Sequence, residues 1–139
     1  MGRSILVAED SPSYALLYKQ MFEARGHSVM VTVDGEDCLS AYRSKIASKD
    51  ASGRFDMVIL DHSMPKKTGF EVAKEILAMN REQRIIFITS FGEEIAQNLA
   101  ELNGGDNVDV LEKPFNSVDL IYKVEYEIED QGKTHIISR

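Results

Sequence analysis

The stretch FDMVILDHSMP, residues 55–65, runs through four consecutive apolar residues into a carboxylate and then into a Met-Pro turn. A short continuous apolar run between turn signals is typical of a strand buried on both faces of a parallel sheet. Asp61 would end this strand, at the edge where open α/β sheets form their ligand crevice. Taken alone, the segment fits a functional carboxylate and a turn-forming aspartate equally well.

Similar segments recur along the chain. Residues 5–8, 85–88 and 108–111 predict further strands, and the alternating residues 29–33 predict another. Between and after them, apolar residues at helical spacing predict five helices, around residues 14–22, 38–46, 70–77, 95–102 and 118–128. In the last helix, Val118, Ile121, Val124 and Ile128 are expected to face the core. Five strand–helix units predict an α/β fold, a five-stranded parallel sheet with helices on both faces and strand order 2-1-3-4-5.

Composition narrows the class of protein. A chain of 139 residues predicts one domain, and a net charge of −7 argues against a general binder of nucleic acid or of anionic membranes. No apolar run reaches the ~20 residues of a membrane span. The single cysteine, Cys38, has no partner for an internal disulfide. We therefore expect a cytoplasmic protein.

Polar residues follow four of the predicted strands. Glu9 and Asp10 follow the first strand, Asp61 ends the third, Thr89 follows the fourth and Lys113 follows the fifth. Three carboxylates in one crevice repel one another unless a cation intervenes, and an oxygen-only ligand set suits Mg²⁺ ahead of Zn²⁺. A lysine and a hydroxyl beside that ion suit a phosphoryl group. An aspartate in this setting can itself be the nucleophile and form an acyl phosphate.

These motifs resemble the receiver domains of two-component response regulators, over about residues 4–130. The family pattern D-x-x-M-P-x-x-x-G runs here from Asp61 to Gly69, and the family's Lys-Pro pair is Lys113-Pro114. The resemblance implies a flavodoxin-like fold with Asp61 as phosphoacceptor. It implies Mg²⁺ ligands in Glu9, Asp10, Asp61 and the backbone carbonyl of Ser63, and phosphoryl contacts from Thr89 and Lys113.

The function implied by the resemblance is a signalling switch, with no enzymatic activity beyond Mg²⁺-dependent self-phosphorylation and autodephosphorylation. The phosphoryl group would come from the phosphohistidine of a sensor histidine kinase or a phosphotransfer protein. The output would be a changed affinity for a downstream target protein or output domain. The implied surface is formed by the fourth helix, the fifth strand and the fifth helix, and it also serves homodimers in the family.

Two departures from the family pattern concern this output. Val110 stands where the family usually has Tyr or Phe as a rotameric switch, and Gly104-Gly105-Asp106-Asn107 replaces the usual Gly-Ala dipeptide. We therefore expect the segment after Thr89 to carry the conformational change and the fourth helix to move most. Phe91 is either a lid over the crevice or part of the hydrophobic core.

Several alternatives remain open from the sequence. One is an Mg²⁺-dependent phosphohydrolase, although Ser63 stands where haloacid-dehalogenase enzymes need a second aspartate. Another is a receiver fragment of a larger multidomain regulator or hybrid kinase.

Residues 1–130 are expected to form the receiver domain, and residues 131–139 a polar C-terminal tail or the start of a linker. The acidic residues Glu125, Glu127, Glu129 and Asp130 are interpreted as a solvated face.

Overall fold

The computed structural model describes residues 2–48, 54–62, 64, 66–90, 92, 98–99, 102, 107–126 and 136–137. The strands are β1 Ser4–Ala8, β2 Ser28–Thr32, β3 Met57–Asp61, β4 Ile85–Thr89, β5 Val108–Glu112 and β6 Ile136–Ile137. The helices with described bounds are α1 Pro12–Glu23, α2 Gly35–Ala47, α3 Gly69–Met79 and Ser117–Glu125, labelled α4 here. Most of the predicted helix around residues 95–102 lies outside the described residues. None of the described helices is long and apolar enough to cross a membrane.

All neighbouring strands of the sheet are parallel, in the order β2-β1-β3-β4-β5-β6. The predicted order 2-1-3-4-5 is therefore confirmed for the first five strands. The sixth strand is an addition, because Ile136 and Ile137 pair with Val110 and Leu111 along the outer edge of β5. It lies within the residues expected to form a polar tail, where two apolar residues are too few to give a periodic signal.

Two hydrophobic clusters cover the two faces of the sheet. One packs residues such as Leu6, Val58 and Phe87 against α2 and α3, and it includes Val110. The other packs residues such as Val7 and Ile59 against α1 and α4. Every residue of β3 and β4 is buried, as the continuous apolar runs predict. Full burial of one Val, Leu, Ile, Phe or Met side chain stabilises the folded state by about 1.5–3 kcal/mol. The apolar residues of β3 and β4 therefore anchor the polar residues at the ends of these two strands.

One predicted core position in the last helix is wrong. Val118 is 67% exposed, whereas Leu120 and Val124 are buried. The Asn116 side chain accepts a hydrogen bond from the Val118 backbone N–H at 2.8 Å and so caps the helix, which places Val118 in the first turn on the outer face. The predicted Ile128 lies outside the described residues.

The interpretation of Glu125 as part of a solvated face is also wrong. Arg25 donates two hydrogen bonds to its carboxylate, from Nε at 2.6 Å and from Nη2 at 2.7 Å, and His27 Nε2 lies 2.8 Å from it. The Arg3 guanidinium donates to the Glu125 backbone carbonyl at 3.2 Å. These contacts join the end of α4 to the start of β1 and to the α1–β2 connection. The paired cations, chiefly Arg25, hold the pKa of Glu125 at about 2.

This ion-pair cluster predicts a specific pH dependence of stability. The pKa of Glu125 is lowered from 4.5 in the folded protein, so its contribution is present above about pH 4.5 and is lost as the pH falls toward about 2. Glu125→Gln should lower the free energy of unfolding at pH 7 by only about 1 kcal/mol, because the Arg25 side chain is 45% exposed and solvent screens the pair. The difference in free energy of unfolding between Glu125→Gln and the wild type should shrink as the pH falls from about 4.5 toward about 2.

Denaturant unfolding at a series of pH values measures this difference. The control is Glu23→Gln, which removes an exposed ion pair with Lys19 and should cost less than about 0.5 kcal/mol. An equal effect of the two substitutions, or a constant Glu125→Gln difference down to pH 2, would contradict the assignment.

Candidate functional site

The predicted site residues lie at the carboxyl-terminal edge of the sheet. β3 is hydrogen-bonded to β1 on one side and to β4 on the other, so Asp61 at the end of β3 lies beside the exits of both strands. Glu9 and Asp10 follow β1, and Thr89 ends β4. The Lys113 backbone N–H donates to the Thr89 carbonyl at 2.8 Å, which fixes the exit of β5 to the end of β4.

Three carboxylates meet at this edge. Glu9, Asp10 and Asp61 each offer an oxygen, and these atoms all lie within 4.8 Å of one another. Glu9 and Asp61 are buried, and Asp10 is exposed. Burial, with a further contribution from the Asp61 carboxylate, raises the pKa of Glu9 to about 7, although the Ser11 backbone N–H donates to it at 3.1 Å and opposes the rise. Ionisation of all three carboxylates at once is therefore unfavourable.

One buried oxygen of the cluster indicates what it can bind. Glu9 Oε1 is buried and has no hydrogen-bond partner. Oxygen ligands from three carboxylates, one of them exposed, fit a hard divalent cation such as Mg²⁺ that retains several waters. Such an ion would provide the partner that Glu9 Oε1 lacks and would offset the mutual repulsion of the carboxylates. The predicted fourth ligand, the carbonyl of Ser63, lies outside the described residues.

Lys113 places a cation at the same edge. Its Nζ lies 4.0 Å from Asp61 Oδ1, and its side chain is 19% exposed. The same Nζ lies 4.6 Å from the ring centroid of Tyr14 in the first turn of α1. Helical spacing assigned Tyr14 to a packing stripe, so sequence reasoning missed this contact between residues far apart in the chain.

The glycine of the D-x-x-M-P-x-x-x-G pattern has a steric reason. Gly69 donates its backbone N–H to the His62 carbonyl at 3.0 Å, so the loop after β3 folds back against the residue that follows Asp61. A Cβ at Gly69 would lie 2.9 Å from the Asp61 carbonyl oxygen and 2.9 Å from His62 Cα. Thr68 then caps α3 in a reciprocal arrangement with Glu71. The close contact with Asp61 and His62 thus explains why a residue without a Cβ ends the pattern.

The segment after β4 is linked to β5 through a contact that sequence reasoning missed. The Gly92 backbone N–H donates to Glu112 Oε2 at 3.0 Å, and a Cβ at Gly92 would lie 2.9 Å from the same oxygen. Val110 is fully buried in the cluster under α2 and α3. Phe91, the predicted lid, lies outside the described residues. Gly92, three residues after Thr89, is therefore hydrogen-bonded to β5 through Glu112, the residue before Lys113.

Comparison with known sequences agrees with this arrangement. A family profile, response regulator receiver domain, matches residues 5–125. The chain is 32% identical over 123 residues to the transcriptional regulatory protein RprY of Bacteroides fragilis, and 32% identical over 120 residues to the transcriptional regulatory protein CpxR of Escherichia coli. These alignments cover 87% and 86% of the chain but 47% of each relative. The chain thus spans about half the length of the curated relatives it matches.

Solved structures give the same result. A response regulator receiver domain protein from Clostridium thermocellum superimposes with a TM-score of 0.76 at 25% identity, covering 92% of this chain and 95% of that one. The response regulator protein TrrA from Thermotoga maritima, in complex with Mg(2+)-BeF, superimposes with a TM-score of 0.70 at 29% identity, covering 88% and 96%. With the profile spanning most of its length and the strand order in agreement, the chain belongs to the response regulator receiver domain family.

Proposed function

We propose that the chain is a phosphorylation-dependent signalling switch in which Asp61 accepts the phosphoryl group. The observation that carries the proposal is the position of this buried carboxylate, between the two acidic residues after β1 and the ammonium of Lys113. Such a site can hold a cation and an anionic group side by side, which is the main requirement of phosphoryl transfer.

In the proposed reaction, an Asp61 carboxylate oxygen forms a bond to phosphorus. The P–N bond to the donor histidine breaks, and its electron pair returns to the imidazole nitrogen. Mg²⁺ held by Glu9, Asp10, Asp61 and the Ser63 carbonyl would supply charge neutralisation for the phosphoryl oxygens. The chain forms and loses the acyl phosphate on itself and has no further enzymatic activity in this proposal.

Lys113 and Thr89 are the proposed phosphoryl contacts of the chain. The Lys113 ammonium is 4.0 Å from Asp61 Oδ1, longer than a hydrogen bond, and a charge-assisted bond to an added phosphoryl oxygen would be stronger. Thr89 ends the neighbouring strand and is buried. In the proposal, its hydroxyl donates a new hydrogen bond to the phosphoryl group, and the segment after β4 moves with it. These two residues make the differential contacts through which phosphorylation can shift a conformational equilibrium.

The proposed partners are a sensor histidine kinase or phosphotransfer protein as donor, and a target protein or output domain as receiver of the signal. The chain matches about half of RprY and about half of CpxR, and both are named transcriptional regulatory proteins. This partial match favours an output module separate from the receiver domain, on the same chain or on another. With its net charge of −7, this domain contacts neither nucleic acid nor membrane directly in the proposal. The proposed location is the cytoplasm, in keeping with the single free thiol.

The first prediction from the proposed function concerns metal binding. Asp10→Ala should weaken Mg²⁺ binding at least tenfold from a roughly millimolar dissociation constant in the wild type, because it removes one of three carboxylate ligands. Titration followed by amide NMR shifts measures the affinity. Glu36→Ala, which removes an exposed carboxylate from α2, is the control with the same charge change and should bind as the wild type does. Equal affinities of the two variants would reject the acidic pocket.

The second prediction concerns the phosphoacceptor. Incubation with acetyl phosphate and Mg²⁺ should add one phosphoryl group to the wild type and none to Asp61→Asn, which keeps the side-chain size but removes the nucleophile. Intact-mass measurement and peptide mapping follow the label. Labelling of His62 or Ser63 instead, or an Asp61→Asn variant that is labelled as well as the wild type, would overturn the assignment.

The third prediction concerns the output route in a protein without the aromatic switch. On addition of Mg²⁺ and beryllofluoride, a phosphoryl mimic, amide-exchange protection should change chiefly between residues 89 and 105 in the wild type. Glu112→Ala should reduce these changes, because it removes the acceptor of the Gly92 N–H, while Val110→Tyr should not be needed for them. Protection changes that appear only in Val110→Tyr would show that this route does not operate in the natural sequence.

A further inference from the structure

The Lys113 side chain lies between a carboxylate and an aromatic ring. Its Nζ is 4.0 Å from Asp61 Oδ1 and 4.6 Å from the Tyr14 ring centroid. Tyr14 is fixed in the first turn of α1, where its backbone N–H donates to the Oγ of the capping residue Ser11 at 3.4 Å. A ring at this distance attracts an ammonium through its quadrupole, and more strongly where water is partly excluded.

An aromatic row continues behind this contact. The Tyr14 and Tyr18 rings are 6.0 Å apart, and the Tyr18 ring stacks on Phe115 at 6.2 Å. Phe115 follows Lys113 by two residues, so the row is attached to the β5 exit at both ends. Tyr18 is fully buried, and burial together with the charges of Glu9 and Asp61 raises the pKa of its hydroxyl. Tyr14 therefore packs at one end of a row of rings whose other end, Phe115, lies two residues after Lys113.

We propose that Tyr14 is a positioning residue that holds the Lys113 ammonium ready for an anion on Asp61. An unrestrained lysine loses much of its rotamer freedom when it binds an anion, and a side chain already held against a ring loses less. This inference rests on the proposed function, because the anion is the phosphoryl group of that proposal. It adds to the site a residue that lies outside the strand-end motifs. Tyr14 is 37% exposed.

The test compares substitutions that keep and remove the ring. With Mg²⁺ present, Tyr14→Leu should bind beryllofluoride about three- to tenfold more weakly than the wild type, while Tyr14→Phe should stay within about twofold. Leu17→Ala removes a comparably exposed apolar side chain of α1 and should bind as the wild type does. Fluorine NMR measures the bound fraction, and thermal melting shows whether each variant is folded.

A double-mutant cycle isolates the ring–ammonium contact. In a Lys113→Met background, Tyr14→Leu should cause no further loss of beryllofluoride affinity. Wild-type binding in Tyr14→Leu, an equal loss in Tyr14→Phe, or an undiminished loss in the Lys113→Met background would each overturn the role of Tyr14.

One further measurement separates this inference from the function on which it rests. The Lys113 ε-methylene protons should show an upfield ring-current shift in the wild type and in Tyr14→Phe, and should lose it in Tyr14→Leu. If the shift is present but the wild type binds no beryllofluoride, the proposed function fails and the positioning role fails with it. If the wild type binds beryllofluoride and the shift is missing, only the role of Tyr14 is overturned.

Discussion

The carboxylates of Glu9, Asp10 and Asp61 repel one another at one end of the sheet, and the rest of the structure has to hold them there. Like charges within 4.8 Å, two of them buried, cannot all stay ionised without compensation. Burial first, and the neighbouring Asp61 carboxylate second, raise the pKa of Glu9 to about 7. Lys113 compensates only in part, since its ammonium is 4.0 Å from Asp61. In the proposed function, a divalent cation offsets this imbalance and the cation-bound site accepts an anion.

The fold supplies the rigidity that this repulsion requires. β3 and β4 are buried along their whole length, so Asp61 and Thr89 extend from strands that cannot shift without disturbing both hydrophobic clusters. At the opposite end of the sheet, the Arg25–Glu125 ion pair ties α4 to the α1–β2 connection. Beyond the end of β4, the Gly92 backbone N–H donates a hydrogen bond to the Glu112 carboxylate of β5.

Sequence reasoning predicted the parts of this structure that follow from local patterns. Continuous apolar runs identified the buried strands, and strand order then brought the acidic residues and Lys113 to one edge. It could not predict contacts between distant side chains, such as Arg25 with Glu125 or Lys113 with Tyr14, because periodicity shows which face is apolar and not which partner lies across it. The second strand neighbour of β5 was missed because two residues carry no pattern. Asp109 breaks the run of apolar residues in β5, and its carboxylate lies 3.4 Å from the buried Lys123 ammonium, a partner in α4 that the sequence pattern does not reveal.

In the proposed function, these strand ends form one site for a cation and a phosphoryl group on Asp61. A crystal structure of the protein grown with Mg²⁺ and beryllofluoride would show whether they do. We expect beryllium density bonded to the Asp61 carboxylate, a metal ion contacting Glu9, Asp10 and Asp61, and Lys113 Nζ within hydrogen-bond distance of a fluoride. An Asp61 carboxylate that carries no beryllium at saturating concentration, or a metal ion bound away from these three residues, would contradict it.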